Sequence, residues 1–104
     1  LVTDGLPAIA LNDPSIITAW ANDVGFNNVF ARQVQVLGKP GDILIVLSTS
    51  GSSLNCLLAG VIAKEMDLEV INFPREGKTT AEVQENQLKT IHLVCGQVEK
   101  EIFK

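Results

Sequence analysis

Hydroxyl side chains crowd one short segment, which we call the serine loop: five of the six residues 48–53 are Ser or Thr, and the sixth is Gly51. Hydroxyls donate and accept hydrogen bonds, and glycine lets backbone N–H groups approach a ligand closely. The segment lacks the lysine of a nucleotide-binding P-loop, the spaced glycines of a dinucleotide site and the G-x-S-x-G pattern of a serine nucleophile. Neutral donors without a cation suit a phosphate monoester on a polyhydroxylated molecule. A Ser-rich turn without a ligand is the alternative.

A second candidate for chemistry is His92, the only histidine, which follows Gln84 by eight residues. Histidine can act as a general acid or base because its charge changes near neutral pH. A lone histidine on an apolar helix face is also commonly a packed structural residue, and both interpretations stay open at this point. Eight residues span about 12 Å of helix. Gln84 and His92 therefore share one small site only if their side chains lean together or if neighbouring subunits contribute.

The serine loop must be positioned by the elements on either side of it. The apolar run at residues 43–47 follows a turn at residues 39–42 and predicts a parallel strand buried on both faces. Apolar residues at three- and four-residue spacing over residues 54–66 predict a helix. A loop between them lies at the carboxyl end of a parallel strand, where open α/β sheets bind ligands. The N-terminus of the following helix favours an anion there.

The remaining elements follow from turn signals and apolar spacing. We predict a strand over residues 8–11 and a helix that starts near Ile16 after a capping turn at residues 12–15 and breaks at Asn22 and Asp23. A second helix should run from residue 27 or 28 to Leu37, where Gly38 ends it. A strand over residues 70–73 and a helix over residues 80–103, with an apolar stripe from Val83 to Ile102, complete the chain.

Composition sets limits on the class of protein. The chain of 104 residues is at most one domain, with 46% hydrophobic residues and a net charge of −4. Without a basic run, direct nucleic-acid binding is not expected, and the apolar runs are too short to span a membrane. The N-terminus shows no signal-peptide pattern, so we expect a cytoplasmic protein with Cys56 and Cys95 reduced. The apolar excess for so small a chain indicates burial against partners.

Residues 48–55, Ser-Thr-Ser-Gly-Ser-Ser-Leu-Asn, resemble the signature of the SIS (sugar isomerase) domain. Residues 6–11, 21–26, 29–34, 83–85 and 91–92 are similar to one branch of that family, which contains the phosphoheptose isomerases and the non-catalytic DnaA initiator-associating protein. The resemblance implies an α/β fold: a three-layer α/β/α sandwich with a parallel, flavodoxin-like sheet. It also implies that residues 1–104 are a single partial SIS domain, without an N-terminal helical hairpin and strand–loop–helix unit, and with a strand missing near residues 73–74.

The resemblance also assigns roles to residues. In the family the serine loop holds the sugar phosphate, here through Ser48, Thr49, Ser50 and Ser53, and Asp23 contacts sugar hydroxyls. His92 falls on the catalytic histidine, and Gln84 on a glutamine that contacts substrate. In some members this glutamine contacts zinc, so Gln84 and His92 are metal ligands only if zinc is bound; no other cofactor is implied. The implied reaction interconverts sedoheptulose 7-phosphate and a heptose 7-phosphate through an enediol, in a homotetramer that supplies the heptose precursor of lipopolysaccharide.

Alternatives to this enzyme remain. In the family the partner of the histidine is a glutamate on an N-terminal helix that residues 1–104 do not contain, which leaves catalysis open. The chain could instead be a non-catalytic phosphosugar-binding or scaffold protein such as the initiator-associating protein, although His92 favours the enzyme because that relative has no histidine there. An arabinose phosphate isomerase is a third reading, and the matches at Asn22-Asp23 and Gln84-Glu85 point away from it.

Overall fold

The computed structural model describes residues 6–102 and shows an α/β protein with a small parallel sheet. Its elements are α1 (Pro14–Val24), a 3-10 turn (Phe26–Asn28), α2 (Val29–Leu37), β1 (Ile43–Val46), α3 (Leu54–Glu65), β2 (Glu69–Asn72) and α4 (Thr80–Ile102). The two strands pair in parallel, from Ile43 opposite Glu69 to Val46 opposite Asn72. The predicted α/β class and parallel strand–helix–strand unit are confirmed. None of the helices within residues 6–102 is long and apolar enough to cross a membrane.

Helix α1 begins at a strong N-cap. The Asp13 carboxylate accepts hydrogen bonds from the Ser15 hydroxyl (2.6 Å) and from the N–H groups of Ser15 (2.9 Å) and Ile16 (3.4 Å). These bonds, the hydroxyl's first, hold the pKa of Asp13 below its ordinary value. The helix continues through residues 22 and 23, so the predicted break there is wrong. Asn and Asp weaken a helix interior only slightly, and α1 ends where Gly25 adopts a φ of 92°.

The core lies where α2 and α3 pack on each other and on one face of the sheet. Val34, Ala59, Ala63 and Leu68 are buried there. Leu44 and Val70, one from each strand, are among the half-buried residues packed against them. Alanine at the contact positions of α3 lets α2 approach closely, because small side chains leave the backbones room to meet. This packing fixes α3, and hence the serine loop before it, against the ends of both strands.

The opposite face of the sheet is uncovered within residues 6–102. Ile43 and Ile45 are 57% and 44% exposed, and Ile71 beside them is 39% exposed. The prediction that β1 is buried on both faces is therefore wrong for this part of the chain. The reason is that α2 and α3 lie on the Leu44 side, while α1 and α4 neighbour neither strand.

Residues 8–11 do not form the predicted strand. Leu6 and Ile9 are 60% and 71% exposed, and the segment is anchored at its end, where the Leu11 carbonyl accepts a hydrogen bond from Gln33 Nε2 (3.1 Å). Within residues 6–102 no strand pairs with the segment, so its backbone stays irregular.

Helix α4 starts with a cap similar to a capping box, formed by residues 78–82. The Glu82 N–H donates to Thr79 Oγ1 (3.1 Å), and the Glu82 carboxylate accepts from the Lys78 N–H (2.7 Å). Of the predicted apolar stripe only Val83 is buried; the others are half-buried or exposed, as Leu88 is at 54%. Among the described elements α4 has no neighbouring helix or strand, and it contacts the connection over residues 73–79 and the serine loop. The predicted end at residue 103 lies outside the described residues.

Candidate functional site

The serine loop connects β1 to α3 and brings three hydroxyls together. Ser53 Oγ lies 3.3 Å from Ser48 Oγ and 3.5 Å from Ser50 Oγ. The Thr49 side chain is half-buried and makes no hydrogen bond within the described residues. Three hydroxyls this close form one cluster of donors that a single oxyanion could bridge.

The loop is held in shape by its own backbone. The Gly51 N–H donates to Ser48 Oγ (3.0 Å), and the Ser52 N–H donates to Ser50 Oγ (3.1 Å). Gly51 has a φ of 70°, a conformation that residues with a Cβ adopt only with strain. Since Ser48 and Ser50 accept from the backbone, their O–H protons remain free to be donated to a neighbour or a ligand.

The N-terminus of α3 opens onto the same cluster. Ser53 is the N-cap, yet its side chain accepts no hydrogen bond from the first turn of the helix. The N–H groups of Leu54 and Asn55 have no side-chain partner within residues 6–102, while the Cys56 N–H is paired with Asn55 Oδ1 (2.8 Å). Unpaired N–H groups and the helix dipole favour a negative charge beside the three hydroxyls.

Arg75 adds a cation that was not predicted. Its Nη1 donates to the Ser50 carbonyl (2.6 Å), and its guanidinium lines a cleft of about 310 Å³. The cleft is bounded by Val46, Ser48, Gly51, Leu57, Asn72, Phe73 and Arg75. The description of the loop as free of cations is right for residues 48–53 and wrong for the site. The sequence contained a signal for this residue: neighbouring parallel strands end at the same edge of a sheet, so residues just after β2 are candidates for the site.

Gln87 is a second residue that sequence reasoning missed. It is 5% exposed on α4, and its Nε2 donates to the Ser48 carbonyl (3.2 Å). This hydrogen bond joins α4 to the serine loop across 39 residues of sequence. A polar residue near the apolar stripe of α4, one turn after Val83, was the available signal. Gln87 therefore positions the loop through a backbone carbonyl rather than through the Ser48 hydroxyl.

The other predicted site residues lie apart from the serine loop. Asp23 is in the last turn of α1, whose only neighbours among the described elements are α2 and the 3-10 turn, and it accepts a hydrogen bond from Asn22 (3.5 Å). Gln84 and His92 are exposed on α4. At about 100° per residue, Gln84 lies about 60° and His92 about 140° around the helix from Gln87. His92 is therefore turned away from the serine loop of its own chain.

Zinc does not fit the residues of a single chain. Gln84 and His92 are separated by about 12 Å of helix rise, and a zinc site needs three or four ligands around one point. Within residues 6–102 no group of three or more His, Cys, Asp or Glu side chains could hold a metal ion. Burial raises the pKa of the half-buried Cys56 thiol, which disfavours the thiolate that would bind a metal.

Comparison with known proteins identifies the family to which this fold belongs. The SIS domain family matches residues 3–73, which contain the strand–loop–helix unit and the serine loop. The chain belongs to the SIS domain family. Within it, the phosphoheptose isomerase of Geotalea daltonii is 41% identical over 116 residues, covering 95% of this chain and 60% of the relative. The phosphoheptose isomerase of Burkholderia pseudomallei is 43% identical, covering 95% and 59%.

Solved structures give the same result. The phosphoheptose isomerase from Francisella tularensis superposes with a TM-score of 0.87 at 33% identity, covering 95% of this chain and 65% of that chain. The enzyme from Neisseria gonorrhoeae gives a TM-score of 0.84 at 34% identity, covering 88% and 61%. The chain thus spans about three fifths of the length of these relatives. The match to the Geotalea protein extends over 116 positions, whereas 95% of the 104 residues of this chain is only about 99, so that relative has residues inside the matched region that this chain lacks.

Proposed function

We propose that the chain is part of a phosphosugar isomerase that interconverts sedoheptulose 7-phosphate and a heptose 7-phosphate, and that its serine loop holds the phosphate. The observation that carries the proposal is the cluster formed by Ser48, Ser50 and Ser53 at the uncapped N-terminus of α3. The free Thr49 hydroxyl can join them. The names of the similar relatives support the choice of substrate. The product would be the heptose precursor of lipopolysaccharide, made in the cytoplasm.

The reaction moves a proton between two adjacent carbons through an enediol. It needs a base, an acid near the carbonyl oxygen, and a grip on the distant phosphate that places the reacting carbons. The serine loop supplies that grip, and His92 is the proton-transfer group. Gln84, two turns earlier on α4, and Asp23 contact the sugar hydroxyls. The glutamate that completes acid–base catalysis in the family would come from outside this sequence.

The position of His92 supports a site shared between subunits. His92 is exposed and lies about 140° around α4 from Gln87, the residue that contacts the serine loop. A serine loop would accordingly be served by the partner subunit's His92. The face of the sheet bearing Ile43 and Ile45, and Leu88 and Leu93 on α4, at 54% and 74% exposed, provide apolar surface for such an assembly. We expect a homotetramer, and light scattering that shows a monomer at micromolar concentration would refute it.

The phosphate grip can be tested in the complete protein by replacing Ser50 and Ser53 together with alanine. Sedoheptulose 7-phosphate should raise the Tm of the wild type and have no effect on the double variant. Ser52→Ala is the matched control, because the Ser52 hydroxyl makes no hydrogen bond within the described residues. Undiminished ligand stabilisation of the Ser50→Ala/Ser53→Ala protein would end the proposal.

Catalysis by His92 is tested separately with His92→Gln. The side chain is exposed and has no hydrogen bond within residues 6–102, so the fold of the single chain does not depend on it. Turnover should fall by about 10²–10⁴-fold, the usual contribution of a positioned acid or base, while ligand stabilisation persists. Wild-type turnover in the variant would remove His92 from the mechanism. Ligand binding without turnover in the unmodified protein would instead establish a non-catalytic binding protein.

A further inference from the structure

We propose that Arg75 is the cation that binds the phosphate group over the serine loop, and so makes this site selective for a doubly charged phosphate monoester. This inference rests on the phosphosugar function proposed above and adds a specificity-determining residue to it. The family resemblance assigns no role to Arg75. Four structural observations carry the inference.

The first is the contact between Arg75 and the loop. Nη1 donates to the Ser50 carbonyl (2.6 Å), and the guanidinium lies so close to Gly51 that a Cβ added there would collide with it. The guanidinium therefore covers the turn whose hydroxyls form the cluster, at the edge of the 310 Å³ cleft.

The second observation is that most of the N–H donors of Arg75 have no partner within residues 6–102. A guanidinium carries five N–H donors in one plane, which match the oxygens of a phosphate in pairs. One donor is used by the Ser50 carbonyl, and within residues 6–102 Arg75 makes no other hydrogen bond and no ion pair with a carboxylate. The other four are available to a ligand in the cleft.

The third observation is charge. The chain has a net charge of −4 and contains two arginines. Arg32 already has partners near it in the chain: its guanidinium lies 5.0 Å from the centre of the Trp20 ring and donates a hydrogen bond to Gln35 (3.2 Å). Arg75 has no aromatic ring beneath it and no acidic partner among the described residues. An unpaired guanidinium beside the N-terminus of α3 favours an anion in this cleft.

The fourth observation is that the backbone on both sides of Arg75 is fixed. Phe73 is buried at 7% exposure, and its N–H donates to the Val46 carbonyl (3.0 Å) at the end of β1. On the other side, the Glu76 carbonyl accepts from Asn86 Nδ2 of α4 (2.8 Å). Only Pro74 separates Phe73 from Arg75, and its restricted φ helps to hold the backbone of Arg75 beside the serine loop.

A purely structural clamp is the competing role, and it predicts different measurements. A clamp acting only through the Ser50 carbonyl would lower Tm when removed and would weaken phosphorylated and unphosphorylated ligands alike. A phosphate-binding cation acts on the charged group alone, and its contribution falls as salt screens it.

The test compares Arg75→Gln, Arg75→Lys and the matched control Arg32→Gln in the complete protein. Calorimetric titration is made with inorganic phosphate, with sedoheptulose 7-phosphate and with unphosphorylated sedoheptulose, at two salt concentrations. In Arg75→Gln both phosphate ligands should bind about 10- to 100-fold more weakly, the range expected for lost charge-assisted hydrogen bonds. The remaining affinity should depend less on salt. Arg75→Lys should keep part of the affinity, since it retains the charge but not the planar fork. KM should rise more than kcat falls, because the phosphate does not react.

The outcomes separate this inference from the proposed function. Two results would overturn the inference. In the first, Arg75→Gln binds both phosphate ligands as tightly as Arg32→Gln does. In the second, the affinities for phosphorylated and unphosphorylated sugar fall equally and independently of salt. If phosphosugar stabilisation disappears in Ser50→Ala/Ser53→Ala but survives in Arg75→Gln, the role of Arg75 fails and the proposed function stands. If it survives in both, the proposed function itself fails.

Discussion

Replacing Gln87 with leucine tests whether α4 positions the serine loop. Leucine is similar in size to glutamine and suits the burial of this site, where Gln87 is 5% exposed. The change therefore removes little packing. What it removes is the hydrogen bond from Nε2 to the Ser48 carbonyl at 3.2 Å, which is the link between α4 and the loop.

The expected magnitude follows from that bond. Losing a neutral hydrogen bond costs about 0.5–1.5 kcal/mol, and leaving a buried carbonyl unpaired costs about 1–3 kcal/mol. Ser48 is half-buried, so water can partly replace the lost donor and the lower part of the range applies. We expect a loss of about 1–2 kcal/mol, which for a domain of this size lowers Tm by roughly 5–10 °C. Sedoheptulose 7-phosphate should also bind more weakly, since the Ser48 hydroxyl depends on its backbone.

Gln97→Leu is the matched control, because Gln97 is an exposed glutamine of the same helix and makes no hydrogen bond within the described residues. Thermal unfolding with and without ligand measures both effects. A Gln87→Leu protein with the Tm and ligand affinity of Gln97→Leu would refute the reasoning, and α4 would then have no part in shaping the loop.

Three further predictions use the same unfolding assay. Gly51→Ala should lose about 1–2 kcal/mol from its positive φ and should weaken phosphate binding by displacing Arg75; unchanged binding would show that the guanidinium can yield. Thr79→Ala should cost about 1 kcal/mol by removing the acceptor for the Glu82 N–H, and an unchanged Tm would show that the cap is dispensable. Because hydrogen bonds lower the folded pKa of Asp13, its contribution is complete above the unfolded pKa and is lost as pH falls through the folded pKa. The stability gap between wild type and Asp13→Ala should shrink on acidification, and a constant gap would contradict this.

The sequence predicted those parts of the fold whose signals are local. The boundaries of α2, α3 and β2 agree with the structure to within about two residues, because apolar spacing and glycine placement mark them directly. The segment at residues 8–11 has a strand-like composition, but a strand exists only when another backbone pairs with it. Burial of a strand likewise depends on distant parts of the chain. The apolar run of β1 predicted two buried faces, whereas the described part of the chain covers only the Leu44 face.

The sequence predicted the part of the site that lies within one continuous segment. Ser48, Ser50 and Ser53 come together within one loop, so their types and spacing were enough. Arg75 reaches the same loop from 25 residues away, through the ends of two neighbouring strands. Asp23 and His92, assigned by resemblance, are not brought to the loop within one chain; their roles remain proposals that depend on a second subunit.

The strand–helix–strand unit also has a kinetic consequence. Residues 43–72 contain both strands, the helix that crosses between them and the loop that we propose binds phosphate, and each paired residue is separated from its partner by 26 positions. The turns of α3 are local and close quickly, whereas pairing of the two parallel strands must close a separation of 26 residues and is slower. We therefore expect the amides of α3 to acquire protection from hydrogen exchange before those of β1 and β2. The serine loop would then take its final shape only when the two strands pair, because it joins β1 to α3.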